Sequence, residues 1–152
     1  MTHLNSTSPD RAVTSEQLLR LVEDVVRSSF CRCMGASDEF FDDFYETLSA
    51  RAPGIGTLFA HVEMQQQNQL IRQGVEHLID YATGNEQSAQ ELRRLGKTHG
   101  RSGLNVRPEL YSVWIDTLVE TIRKHDQQST DDIEAAWRVV VRGGIEQMTS
   151  LY

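Results

Sequence analysis

Only three prolines and ten glycines punctuate this chain of 152 residues, too few for a collagen-like or loop-dominated architecture. Cysteine is scarcer still. Cys31 and Cys33 stand two positions apart, and a bridge between them would close a very small, strained ring, so both are expected as free thiols. Two thiols also fall short of the four ligands of a structural zinc site. Basic residues are outnumbered, 15 Lys and Arg against 22 Asp and Glu, for a formal charge of −7. That balance disfavours nucleic acid, whose binding depends on lysine and arginine neutralising phosphates. No stretch approaches the roughly 18 to 20 apolar residues that span a bilayer, and the opening MTHLNSTSPDRA lacks the apolar centre of a signal peptide. No membrane association is expected, and the expected location is cytoplasmic. Repeats and low-complexity tracts are absent, as are a nucleophile beside a base, a phosphate loop and a paired-carboxylate motif.

What the chain does contain is helical periodicity over long segments, enough length for one domain with its own core. Thr14 and Gln17 form a capping box, followed by a stripe of Leu18, Leu21, Val22, Val25 and Val26 up to about Ser29. Ser37 opens a second helix whose buried face is Phe40, Phe41, Phe44, Tyr45 and Leu48, after which Pro53, Gly54 and Gly56 break the regularity. A third helix runs from about Glu63 to Tyr81, and a fourth starts at Ser88, with Glu91 completing a capping box. Gly100 and Gly103 are expected to supply left-handed conformations at the end of the fourth. Pro108 suits the first turn of a fifth helix bearing Tyr111, Trp114, Ile115, Leu118 and Ile122. The last helix follows Ser129 and Thr130, with Ile133, Trp137, Val140, Val141, Ile145 and Met148 inward. Six substantial helices and short turns predict an all-α fold.

Two residues do not fit a purely packed interior, and a histidine stands beside them as a candidate. Gln67 and Gly74 lie on the apolar side of the third helix with Met64, Ile71, Val75 and Leu78, where packing alone would favour neither. His99 lies on the apolar side of the fourth helix, three or four residues from Leu95 and Gly96. A lone histidine in such a place is most simply a packed core residue. His61 and His77 read as surface residues and Trp114 and Trp137 as core, although His61 is near enough to the Phe59 region to serve as a mobile second imidazole.

Two segments carry a family resemblance. FYETLSARAPGIGTLF, Phe44 to Phe59, has an aromatic pair, a proline and a closing phenylalanine. It resembles the stretch from the second helix to the CD region of bacterial globins and of flavohaemoglobin globin domains. LGKTHGRSGLNVRPELY, Leu95 to Tyr111, resembles the proximal-histidine helix, its corner and the start of the next helix in the same family. With the helix order, the resemblance spans about Thr14 to the C-terminus. It implies a globin fold of six main helices and short turns around a haem pocket over residues 14–152, after a flexible segment at 1–13.

The resemblance also implies haem b as cofactor, with His99 as the proximal iron ligand. Tyr45 matches the distal tyrosine, Phe59 the phenylalanine beside the haem, and Gln67 the ligand-facing polar residue. Ile71 matches the apolar residue over the iron and Gly74 the small residue next to the macrocycle, with Leu95, Val106 and Tyr111 as further contacts. A glutamate near the end of the last helix in flavohaemoglobins aligns with Tyr152, which weakens a peroxidase-like reading. The hydrogen-bond acceptor that would orient His99 is left open between a backbone carbonyl of its own helix and Thr98.

These assignments imply reversible binding of dioxygen and of other diatomic ligands such as NO and CO, by a carrier, store or gas-responsive protein. An alternative is nitric-oxide dioxygenation, with electrons from a separate reductase because the chain carries no flavin or nicotinamide domain. Another is a globin-type sensor or interaction module. Monomer and homodimer are equally compatible with the sequence.

Overall fold

The expected capping box opens the first helix: Thr14 Oγ1 accepts the Gln17 amide at 3.1 Å, and the Gln17 side chain accepts the Thr14 amide at 2.9 Å. The computed structural model describes residues 12–35 and 37–152. Within it α1 covers Ser15–Met34, α2 Glu39–Arg51, α3 Pro53–Leu58, α4 Met64–Ala82, α5 Glu86–His99, α6 Pro108–His125 and α7 Asp131–Thr149. No strand occurs among the described residues, so the chain is all-α as expected. The segment expected to be flexible lies, apart from exposed Ala12 and Val13, outside the described residues. No helix among the described residues is long and apolar enough to cross a membrane.

Several local expectations need correction. The Pro53–Gly56 region is not a break but the start of the short α3, with Pro53 in its first turn, where its missing amide hydrogen costs nothing. Asp38, not Ser37, occupies the cap position of α2. The fourth expected helix begins earlier, because Asn85 is its cap and accepts the Ser88 amide at 2.9 Å. Ser88 is instead buried and bonds His77 Nδ1 at 3.0 Å, tying α4 to α5. His77 is accordingly half-buried, whereas His61 is exposed.

Gly100 has φ −71° and Gly103 is not left-handed either. The left-handed residue of that corner is Asn105, at φ 52°, a conformation asparagine tolerates better than most side chains. Gly103 is needed for proximity instead: a Cβ there would fall 2.0 Å from the Thr98 carbonyl oxygen. The stripe expected to bury α1 is also displaced. Val26, Ser29, Cys33 and Met34 are buried, while Leu18, Leu21 and Val25 face solvent.

The core forms where α1, α4, α5 and α6 pack on α7 and α2 packs on α6. Trp137, Val26, Phe44, Leu92, Leu118, Ile122 and Val141 are fully enclosed. Close helix contact depends on small residues: a Cβ at Gly96 of α5 would stand 3.0 Å from the Met148 carbonyl oxygen, and one at Gly144 of α7 would stand 2.4 Å from Leu78 Cδ2. The interior also holds one polar network. Trp137 Nε1 donates to Ser29 Oγ at 2.9 Å, and Ser29 donates to Asp126 at 2.7 Å. Arg32 grips both oxygens of that carboxylate at 2.7 and 2.9 Å, and the Gln128 amide donates to it at 2.9 Å. These bonds pin the α6–α7 turn to α1.

Candidate functional site

Tyr45 is placed by the aromatic face of α2. Its ring meets Phe44 at 5.4 Å and Phe59, just past α3, at 5.0 Å, both edge-on. Such edge-to-face pairs fix ring orientation better than aliphatic neighbours do. Phe44 is braced in turn by Trp114 of α6 at 5.8 Å. Trp114, expected only as a core residue, therefore props the ring beside Tyr45 from behind. Helical spacing could not have indicated this, because the contact joins residues 70 positions apart.

The Tyr45 hydroxyl is the polar end of this aromatic group, and Gln67 Nε2 of α4 donates to it at 3.0 Å. Since Gln67 uses a lone pair of the phenol oxygen, the phenolic hydrogen remains free to donate elsewhere. Burial pushes the Tyr45 phenol up to about 12 from its ordinary 10.0, with the Gln67 bond acting weakly the other way. It is a neutral donor throughout the physiological range. Cys33 behaves similarly, pushed by burial from 9.0 to about 12.

A raised pKa on an acid that is neutral when folded means that the native state holds its proton where the unfolded state has lost it. Stability should therefore fall as pH rises, first between 9 and 12 through Cys33 and then between 10 and 12 through Tyr45. Urea unfolding at pH 8, 10 and 11 should show the decline, with Tyr45→Phe removing the part above pH 10.

Along α4, Gln67, Ile71 and Gly74 are separated by four and three residues and so share one side of the helix. Gln67, Ile71 and Gly74 are all half-buried. A Cβ added to Gly74 would meet nothing within 4 Å, so the helix is bordered there by open space rather than packed side chains. That is the fit expected of a surface that receives a flat, bulky group. Asn68, not singled out by the sequence reading, is buried beside Gln67, and its Oδ1 has no hydrogen-bond partner.

On α5, which packs against α4, His99 Nδ1 lies 2.7 Å from the Leu95 carbonyl oxygen. A carbonyl can only accept, so Nδ1 carries the hydrogen and Nε2 carries the free lone pair. Thr98 is not the acceptor, because Nδ1 is taken by the Leu95 carbonyl and the Thr98 hydroxyl turns to the Arg94 carbonyl at 3.0 Å. Leu95 and Val106 are half-buried nearby, and the Val106 amide donates to the His99 carbonyl at 2.7 Å. Tyr111 is half-buried on α6, and burial raises its phenol too.

The corner between α5 and α6 is anchored by the end of the chain. Tyr152 Oη donates to Asn105 Oδ1 at 2.7 Å, and the Arg101 guanidinium lies 4.7 Å from the Tyr152 ring centre. Tyr152 thus reaches the corner and not the His99 ring hydrogen, which Leu95 already occupies.

Two groups result: Tyr45, Phe59 and Gln67 around one polar point, and His99 with Leu95 on α5 and Val106 in the corner that follows it. An imidazole with its lone pair free, a donor phenol and a helix face left open at Gly74 fit the donors that a haem would need. No cluster of three or more His, Cys, Asp or Glu side chains that could hold a bare metal ion occurs among the described residues.

No protein-family model and no curated protein matches the chain. A solved structure does. A protein from Pseudomonas aeruginosa PAO1, described as structurally highly homologous to a human hemoglobin, shares 38% identity with it at a TM-score of 0.81. The match covers 86% of this chain and 98% of that one.

Proposed function

This chain belongs to the single-domain bacterial globins, and on that premise we propose that it holds haem b through His99 and binds dioxygen reversibly beside Tyr45 and Gln67. His99 would hold the haem, which when bound would supply an iron able to bind a diatomic ligand. The observation that carries the reading is the His99 hydrogen bond to the Leu95 carbonyl, which selects the tautomer with Nε2 free and fixes the ring's orientation.

Phe59, Ile71, Leu95, Val106 and Tyr111 would supply the apolar enclosure. A dry enclosure would matter because a hydrogen bond from Tyr45 to a ligand is stronger in a low dielectric. Tyr45 has its hydrogen free for that purpose, and Gln67 holds the phenol in place. NO and CO would fit the same space. The same polar pair also suits nitric-oxide dioxygenation fed by a separate reductase, which turnover of NO by the ferrous protein with a supplied reductant would detect.

The direct test is the absorption spectrum of purified protein supplied with haem, first oxidised, then reduced under nitrogen, then exposed to oxygen. A Soret band that shifts at each step supports the proposal, and the absence of a Soret band sinks it. In Tyr45→Phe, loss of one hydrogen bond worth about 0.5 to 1.5 kcal/mol should speed oxygen release about two- to twelvefold in stopped-flow experiments. An unchanged rate would remove Tyr45 from the ligand side.

A further inference from the structure

Between Glu91 and Glu109 the chain carries Arg93, Arg94, Lys97, Arg101 and Arg107, a third of its 15 Lys and Arg residues, and none of its 22 Asp and Glu. All five cations are exposed. Arg94 pairs with Glu91 of its own helix at 3.0 Å. Arg93, Lys97, Arg101 and Arg107 have no ion-pair partner among the described residues, whereas Arg20, Arg27, Arg32, Arg51, Arg123 and Arg138 are each held by a carboxylate.

The five cations form one surface. At 100° per residue Arg93 and Lys97 lie within about 40° of one another, with Arg94 about 60° from Lys97, all three at least about 120° around α5 from His99. The corner then folds back on the helix end, where the Leu104, Asn105 and Val106 amides donate to the Thr98, Gly100 and His99 carbonyls at 2.9, 2.9 and 2.7 Å. Arg101 and Arg107 are thereby kept at the end of α5 that bears Lys97. The helix dipole favours Lys97 in the last turn, but like charges four residues apart weaken a helix, so folding does not account for Arg93 beside it. The bordering acidic groups are Glu91, already paired, Glu109 in the first turn of α6 and the terminal carboxylate of Tyr152. They leave the surface positive.

Charge complementarity calls for an anionic partner, and the rest of the chain limits its shape. All the Asp and Glu residues lie outside the segment, so a duplex or a bilayer, broader than the patch, would meet an acidic remainder. A compact protein with one acidic face would meet the cations alone. The patch is small and charge-dominated, with Leu104, 50% exposed, as its apolar point. Such contacts belong to brief redox encounters and not to permanent complexes.

We infer that this surface docks an acidic electron-donor protein, a role that rests on the haem reading above. Its cations lie across α5 from His99, so a docked donor stands one helix diameter, about 10 to 12 Å, from the imidazole that would hold the iron. The donor, carrying a flavin or an iron–sulfur centre, gives up one electron, which converts ferric iron to ferrous. No bond or proton moves.

The probe is flavodoxin, an acidic protein with a one-electron flavin. Titrated in its oxidised form into the full chain, haem-free and haem-loaded, it should bind with a Kd of about 0.1 mM at low salt and at least about tenfold more weakly at about 0.5 M salt. Arg93→Glu with Lys97→Glu should weaken binding at least about tenfold without changing the circular dichroism, since both side chains are exposed. Arg20→Glu with Arg138→Glu alters the net charge equally but on α1 and α7, and should leave binding within about twofold. In the loaded chain, reduction of ferric iron by limiting reduced flavodoxin, followed at the Soret band, should slow by the same factor in the first pair of variants. No binding at low salt, binding indifferent to salt, equal losses in both pairs of variants, or iron reduction unaffected by Arg93→Glu with Lys97→Glu would each overturn the proposal. A chain that binds flavodoxin but never shows a Soret band would overturn the donor role through the haem reading and not through the surface.

Discussion

Replacing His99 with glycine is expected to abolish stable haem retention while leaving the helical fold in place. His99 is half-buried near the end of α5, and its ring makes one hydrogen bond, to the backbone of its own helix, so its removal deletes no inter-helix tie. The loss falls instead on the metal. Changes to groups that only orient a metal-binding histidine reach about 10- to 100-fold in affinity, so deleting the ligand itself should exceed 100-fold. Haem transfer to an acceptor apoglobin would measure it. Added imidazole should restore the Soret band in His99→Gly by occupying the space the side chain left. The stability that haem lends the wild type through mass action should vanish in the variant, with apo-protein unfolding unchanged. Equal haem retention by variant and wild type would place the iron ligand elsewhere.

The largest effect on stability is expected at Asp126, far from that chemistry. Its side chain is fully buried, while Arg32 is 27% exposed. Burial works against its charge, but the hydrogen bonds from Arg32, Ser29 and the Gln128 amide outweigh it and hold the carboxyl below its ordinary value. Asp126→Ala would leave the Ser29 hydroxyl short of an acceptor, so that nothing orients the oxygen to which Trp137 donates, and would leave Arg32 without its counter-charge. Breaking a buried pair costs about 3 to 5 kcal/mol, and the lower end applies because Arg32 can still reach water. In a chain of this size that corresponds to a fall in Tm of roughly 6 to 12 °C.

The pH dependence follows from the depressed pKa. The contribution is complete above the ordinary carboxylate range and is lost as pH falls through the native value. Acid unfolding of the wild type should therefore be steeper than that of Asp126→Asn, as read by circular dichroism between pH 5 and 2. A Tm change of less than about 2 °C in Asp126→Ala would show that the network does not hold the α6–α7 turn to α1.

Where local chemistry settles an outcome, the sequence reading agrees with the structure. Thr14 with Gln17 starts α1, Pro108 starts α6, and Thr130 caps α7 by accepting the Ile133 amide at 3.3 Å. A cap, a missing amide hydrogen and an apolar period act within a few residues of chain. The two segments that resemble globins also placed the family correctly, because they carry distinctive residue types at fixed spacing.

The failures occur where a local signal has two outlets. Ser88 and Asn85 could both cap α5. Ser88 bonds His77 instead, and only the packing of α4 on α5 brings that imidazole within reach. Gly100 and Gly103 suggested left-handed backbone, yet the close approach of the Thr98 carbonyl explains Gly103, and Asn105 takes the left-handed turn. Periodicity gave α1 an apolar stripe, but it could not say which part of the stripe meets a neighbour. Val26 enters the core, while Leu18 and Leu21 remain outside.

By itself, then, the sequence determined the all-α class, most helix starts and the family, since these depend on short-range chemistry. Tertiary structure decided the pairing of Tyr45 with Gln67 across 22 residues, the choice of the Leu95 carbonyl over Thr98, and the bracing of Phe44 by Trp114. Each of these depends on how helices lie against one another or how one side chain turns, and neither is fixed by the spacing of residues along a single helix.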